Sequence, residues 1–253
     1  MIGEERFIFF PDRLLIGDPS HFGLDFEDLW VTASDGVRLH AWFVRAKGDE
    51  RARMLFLHGN AGNISHRLEN AYLLCREGIS VFMLEYRGYG KSEGKPGEQG
   101  LYLDAEAGLL HLVQDLGTPA EQVVVFGRSL GGAVAVDLAS KNRIGALILE
   151  STFTSVTDLA SVFFPFLPMG HILKTRFASI EKIADVHAPK LHLHGTADDL
   201  IHYENGKRLF EAAPEPKRFY PIEGAGHNDT YVIGARAYLD ELTGFIRETI
   251  PIT

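Results

Sequence analysis

Short apolar runs alternate along the chain with longer stretches in which apolar residues recur every three or four positions. The runs are "RMLFLHG" (53–59), "ISVFMLEYRGYG" (79–90), "QVVVFG" (122–127), "IGALILES" (144–151), "PKLHLHG" (189–195) and "KRFYPIEGAG" (217–226). They are mostly apolar without alternation, as strands are when both faces of a sheet are covered. Between them lie helix-patterned segments such as "RLENAYLLCREG" (67–78), "LYLDAEAGLLHLVQDLG" (101–117) and "YENGKRLFEAA" (203–213), and a closing helix is predicted from about Ala235 to Thr249. Strand and helix in alternation predict right-handed crossovers, a mostly parallel sheet and helices on both faces. Ahead of this rhythm, "FEDLWVTASDGVRLHAWFVRAKG" (26–48) reads as two strands around the turn "SDG", an antiparallel hairpin.

One stretch breaks the rhythm. Residues 151–189 contain "FFPFLPMG", whose prolines prevent a long regular helix. An insertion is expected there over the C-terminal edge of the sheet, where open α/β sheets bind ligands. "LFLHGNAG" (55–62) and "LHLHGTAD" (191–198) echo each other without wider similarity, as two strands ending in the same kind of turn. No linker interrupts 1–253, so a single domain is expected.

Composition excludes more than it selects. At 253 residues, 45% hydrophobic and 23% charged, the chain is an ordinary globular one with a full core. A net charge of −9 argues against a nucleic-acid partner, which needs a basic surface. Cys75 is the only cysteine, so no intrachain disulfide forms; a buried structural thiol and a cytoplasmic location are expected. No apolar run reaches the length of a membrane span, and no stable membrane anchor is expected.

Candidate chemistry starts from a serine pattern that occurs twice. G-x-S-x-G is spelled by Gly127-Arg-Ser129-Leu-Gly131 and by Gly90-Lys-Ser92-Glu-Gly94. A nucleophile elbow needs a strand ending immediately before the motif and a helix starting immediately after it, with small residues that let the two pack closely. "VVVFGRSLGGAVAVDLA" (123–139) supplies all of these. Ser92 instead continues into "KPGEQG" and reads as a turn residue. Ser129 has a plainer alternative, since a serine at a helix start also caps a free amide. "GYGKS" resembles the end of a phosphate-binding loop, but the first glycine of that motif would fall on Glu85, whose carboxylate repels phosphate.

A serine nucleophile needs a base, and the base needs an acid, in the chain order Ser, Asp/Glu, His. Of eleven histidines, His227 in "IEGAGHND" follows a strand in a glycine-rich loop and is the expected base. His202 reads as exposed, and His192 and His194 as core or hydrogen-bonded residues sharing one strand face, without the third ligand a metal would need. The acid is expected in "LHLHGTADDLI", where Asp198 and Asp199 stand side by side and only one can face the histidine. Glu150, ending "ALILE", is the alternative acid or a brace beneath the site. Two backbone amides must hold a developing oxyanion, and Leu130 and Asn60 occupy the matching positions.

"HGNAGN", "YRGYGKSEG", "GRSLGG" and "HGTADDLI…GAGHND", in this order, resemble the α/β-hydrolase superfamily, and more narrowly its small, lightly lidded serine-hydrolase branch, called ABHD in animals. The likeness spans nearly the whole chain, including "FFPDR…VTASDGVRLHAWFV". It implies an α/β-hydrolase fold with a small lid insertion at about 151–189. It further implies Ser129 as nucleophile, Asp198 as acid, His227 as base, and Asn60 and Leu130 as oxyanion donors. The implied reaction is hydrolysis of carboxylic esters or thioesters of small to medium acyl substrates through an acyl-enzyme, with no cofactor and no metal. An aminopeptidase or amidase, or a non-catalytic binding protein on the same fold, are the alternatives. Relatives often carry an N-terminal anchor or lipidation site; the chain shows neither, so roles on membrane lipids or in protein depalmitoylation are not expected. "SVFFPFLPMGHIL" (161–173) is either an apolar wall of the pocket or packing of the insertion, and Arg87 and Arg128 are candidates to meet an anionic group.

Overall fold

The computed structural model describes residues 4–163 and 173–250. Eight strands form one sheet: β1 (Phe26–Thr32), β2 (Arg38–Val44), β3 (Ala52–Leu57), β4 (Ile79–Leu84), β5 (Val123–Arg128), β6 (Ala146–Glu150), β7 (Lys190–Gly195) and β8 (Lys217–Ile222). Their spatial order is β1-β2-β4-β3-β5-β6-β7-β8. β1 and β2 form the hairpin expected around "SDG", with Phe26 opposite Val44 and Thr32 opposite Arg38. β2 runs antiparallel to β4, and every pairing from β4 to β8 is parallel.

Both faces of the sheet are buried, which explains the lack of apolar–polar alternation in the central strands. Successive residues feed opposite cores: Leu55, Leu57, Val123 and Val125 one side, Met54, Phe56, Val124 and Phe126 the other. Helices Glu98–Leu110, Leu130–Lys141 and Tyr203–Ala212 cover the first face through Leu101, Ala133 and Leu209. Helices Leu68–Arg76 and Thr230–Thr249 cover the second through Ala71, Cys75, Leu242 and Phe245. Cys75 is a packed core residue, its thiol pushed up to about 12 by burial.

The last helix begins five residues before the predicted start. It opens at Thr230 and is broken at Ala235, which sits at φ 44°. Val232 and Ile233 in the first segment are exposed, so that segment has no amphipathic pattern to announce it. Along β7, His192 and His194 take up a core face, as expected. His192 packs against Phe210 and Phe219 and is pushed down to about 3 by burial, hence neutral. Among the described residues no helix is long and apolar enough to cross a membrane, and no group of three His, Cys, Asp or Glu side chains is placed to hold a metal.

Candidate active site

Strand β5 ends at Arg128 and the next helix begins at Leu130, so Ser129 alone makes the turn between them. It does so at φ 54°, ψ −119°, a conformation that L-residues rarely adopt and that needs support from its surroundings. Support comes from three hydrogen bonds: the Ser129 amide donates to Glu150 O (2.9 Å), and its carbonyl accepts from the Gly132 amide (2.9 Å) and from Thr152 Oγ1 (2.8 Å). The flanking glycines are steric requirements. A Cβ on Gly131 would lie 2.0 Å from Leu57 O, and one on Gly127 would lie 2.4 Å from Gly131 O.

Ser129 stands in the N-cap position of the helix, yet its side chain makes no capping bond. Its Oγ lies 3.1 Å from His227 Nε2. His227 Nδ1 lies 2.8 Å from Asp198 Oδ2; since the carboxylate only accepts, Nδ1 carries the proton and Nε2 is free to accept one from the serine. The loops bearing the acid and the base touch: the Ala197 amide donates to Ala225 O (2.9 Å), and a Cβ on Gly195 would lie 2.3 Å from that same oxygen. Asp199, the other member of the acidic pair, points to solvent.

Asp198 is held from several sides. Its Oδ1 accepts from the amides of Leu200 (3.0 Å) and Ile201 (2.8 Å). Beneath it, His194 donates Nε2–H to Ile201 O (2.7 Å) and lies 3.5 Å from Asp198 Oδ2. Burial alone would raise the Asp198 carboxyl; hydrogen bonds from His194, His227 and the Ile201 amide outweigh it and hold the group well below the usual carboxylate range. It is therefore ionised at neutral pH, as a group that balances an imidazolium would have to be.

Glu150, the alternative acid, does not reach His227. It is fully buried, accepts from Thr230 Oγ1 (2.8 Å) and Tyr238 OH (2.6 Å), and forms an ion pair with Arg128 Nε (3.2 Å). Arg128 in turn donates to His227 O (2.7 Å), so the carboxylate braces the histidine loop through the arginine. Arg87 is committed elsewhere, to Asp35 (2.6 Å) and Asp104 (2.8 Å), and does not meet the pocket.

Asn60 lies in the turn after β3, directly over the elbow. A Cβ on the adjacent Gly59 would come within 3.4 Å of Ser129 Cβ. The Asn60 side chain ties down the N-terminal segment, donating to Ile8 O and accepting from the Phe10 amide (3.3 Å) and Tyr89 OH (2.9 Å). Asn60 and Leu130 line the same cavity as Ser129. The N-terminal segment was not foreseen as part of the site. It is sewn to the loop after β3 by Gly62 N to Phe10 O (3.1 Å) and Asp12 N to Gly62 O (3.0 Å), and it brings Ile8 and Phe10 to the pocket wall.

A cavity of about 530 Å³ opens over Ser129 and His227. Its wall is mainly apolar, with Phe10, Phe153, Val156, Leu159, Leu173 and Leu200 prominent. The insertion thus contributes to the pocket through Phe153, the helix Val156–Phe163 and Leu173; residues 164–172 of the proline-rich stretch lie outside the described residues.

A family model described as "Serine aminopeptidase, S33" matches residues 48–180. The chain belongs to this α/β-hydrolase family, and its fold and relatives make it a hydrolase. It is 39% identical over 247 residues to an uncharacterized protein of Mycobacterium tuberculosis, covering 97% of this chain and 88% of that one. It is 38% identical over 253 residues to the alpha/beta hydrolase domain-containing protein WAV2 of Arabidopsis thaliana, covering 92% and 82%. The fold is shared with an esterase of Pyrococcus furiosus at TM-score 0.81 and 19% identity, over 96% of this chain and 99% of that one.

Proposed function

We propose that the protein is a serine acyl hydrolase that cleaves carboxylic esters or thioesters through an acyl-enzyme. The observation that carries this reading is the chain Ser129 Oγ, His227 Nε2, His227 Nδ1, Asp198 Oδ2 at 3.1 and 2.8 Å, on a strained elbow facing an apolar cavity. His227 takes the Ser129 proton as Oγ bonds to the acyl carbon. The resulting oxyanion is held by the amides of Asn60 and Leu130, and Asp198 balances the imidazolium. The carbon–oxygen or carbon–sulfur bond then breaks, and the leaving group departs with the proton carried by His227. Water, deprotonated by the same histidine, adds to the acyl carbon and releases the carboxylic acid, which restores Ser129. No step calls on a metal or a cofactor.

The family description favours a second reading, a serine aminopeptidase. An aminopeptidase has to accommodate a cationic substrate amine, for which a carboxylate in the pocket is the natural partner. Among the described residues lining the cavity there is none, and two arginines stand there instead. Acyl esters and thioesters are therefore preferred.

The test is hydrolysis of p-nitrophenyl esters from acetyl to dodecanoyl, together with labelling by a fluorophosphonate probe. Wild type is expected to turn over the esters with a chain-length optimum and to take the label, both lost in Ser129→Ala. A folded wild-type protein that does neither removes the reading.

A further inference from the structure

The two arginines of the cavity differ in what surrounds them. Arg128 is buried and compensated: Nε pairs with Glu150 at 3.2 Å, and Nη2 is used on His227 O and, at 3.5 Å, Asn228 Oδ1. Arg67 has no such partner. It follows the oxyanion-side loop at the head of the helix Leu68–Arg76, and its one hydrogen bond runs from Nη2 to Ala61 O (2.7 Å). No carboxylate forms an ion pair with it among the described residues, and its buried Nε has no hydrogen-bond partner. Glu69, two residues on, is engaged by Tyr231 OH at 3.0 Å.

Leaving such a group without an acidic partner is costly. Burial, and then the neighbouring Arg128 charge, push the Arg67 guanidinium down to about 10, with Glu85 and Glu150 only partly offsetting them. A guanidinium keeps its proton even so, and remains a cation lining a mainly apolar cavity. Its position is also informative. Arg67 lines the same cavity as Arg128 and His227, and Arg128 holds the carbonyl of His227, the group that protonates the departing fragment. Most of the rest of the wall, from Ile8 and Phe10 to Leu173, is apolar.

Resting on the acyl-hydrolase reading above, we propose that Arg67 is a specificity-determining residue for substrates whose leaving group bears an anion, phosphate or carboxylate, while the apolar wall takes the acyl chain. The Nη groups of the Arg67 guanidinium are the donors to that anion. Arg128, already neutralised, orients His227 rather than binding substrate.

Matched substrate pairs test this. 1-Octanoylglycerol is compared with 1-octanoylglycerol 3-phosphate, and S-octanoyl-N-acetylcysteamine with octanoyl coenzyme A, using wild type, Arg67→Gln and Arg67→Lys. Wild type is expected to favour at least one anionic member by roughly tenfold or more in kcat/KM, as a charge-assisted bidentate contact allows. Arg67→Gln should bring that ratio close to one, mainly through KM, and Arg67→Lys should retain part of it. A preference in the glycerol pair alone points to a monoacyl phospholipid-like substrate; one in the thioester pair alone points to a nucleotide thioester. Equal rates within both pairs overturn the proposal, and so does a preference that survives in Arg67→Gln. Fluorophosphonate labelling of each variant reports an intact elbow, and if Arg67→Gln does not fold, Arg67→Lys with octyl phosphate against octanol as competing inhibitors decides. A wild type that takes no label and cleaves no ester fails at the acyl-hydrolase reading itself; labelling without anion preference removes only the role of Arg67.

Discussion

The same five-residue pattern is used twice in this molecule, to opposite ends. In Gly127–Gly131 the serine is strained at φ 54°, and its hydroxyl is turned away from the backbone toward His227. In Gly90–Gly94 the serine is fully buried, and its hydroxyl is consumed by the backbone, donating to Glu85 O (2.8 Å) and accepting from the His40 amide (2.9 Å). Ser92 pins the turn after β4 to the hairpin strand β2, while Lys91 beside it lies at the surface near Asp28 (3.2 Å). The glycines differ as well. The elbow needs Gly131 because β3 passes against it, whereas Gly90 is needed at φ 44°, where a Cβ would meet the Glu85 carboxylate at 2.2 Å. What makes a serine available for chemistry is thus the strand that stops before it and the helix that starts after it.

The sharpest break in this comparison is replacement of each serine in turn. Ser129→Ala should lower kcat for p-nitrophenyl esters by roughly 10⁶-fold, the usual cost of deleting a triad nucleophile. Ser92→Ala should still take the fluorophosphonate label. Asp198→Asn comes next, with a loss on the order of 10⁴-fold because the imidazole is no longer held in the productive tautomer. The same variant tests the electrostatics of the site. The folded Asp198 carboxyl titrates below its unfolded value of about 3.9, so it contributes stability above that pH, lost as pH falls through the lower folded value. Denaturation midpoints between pH 5 and pH 2 should therefore fall less steeply in Asp198→Asn than in wild type; equal slopes would mean that another group carries the acid limb.

Matched glycines sharpen the comparison on a smaller scale. Gly131→Ala drives a methyl group into the Leu57 carbonyl and should cost about 3 kcal/mol or more, with loss of labelling. Gly94→Ala meets Val37 at 3.2 Å but carries φ 78°, and should cost about 1–2 kcal/mol from the left-handed backbone alone, labelling retained. Ser92→Ala leaves a buried amide and carbonyl short of a partner, an effect of about 1–3 kcal/mol in urea melts. Equal costs at Gly131 and Gly94 would show that the two loops are under the same constraint after all.

Most of the sheet could be read from the chain because apolar strands ending in glycine and amphipathic helices are local patterns. The elbow was legible for the same reason: strand, serine and helix are contiguous from Val123 to Lys141. Choosing Asp198 over Asp199 was harder, since adjacent turn residues have the same chemistry and only the Leu200 and Ile201 amides fix which one turns inward. The N-terminal segment gave no periodic signal, because Phe10 and Asp12 join the site through backbone bonds to Gly62 that any residue can make. Arg67 was hidden in a helix-patterned run, where an arginine reads as a solvated position. Only the folded wall around it shows that it has no acidic partner among the described residues.

His227, the proposed base, hangs from β8, the edge strand, five residues past Ile222, whereas Ser129, the proposed nucleophile, rises from the middle of the sheet. Edge strands with half-exposed residues open at lower free energy than the centre. Heating or denaturant should therefore detach the histidine while the core that holds Ser129 is still closed. Activity then becomes a gauge of the sheet's margin, and it fades ahead of any signal reporting on the fold as a whole.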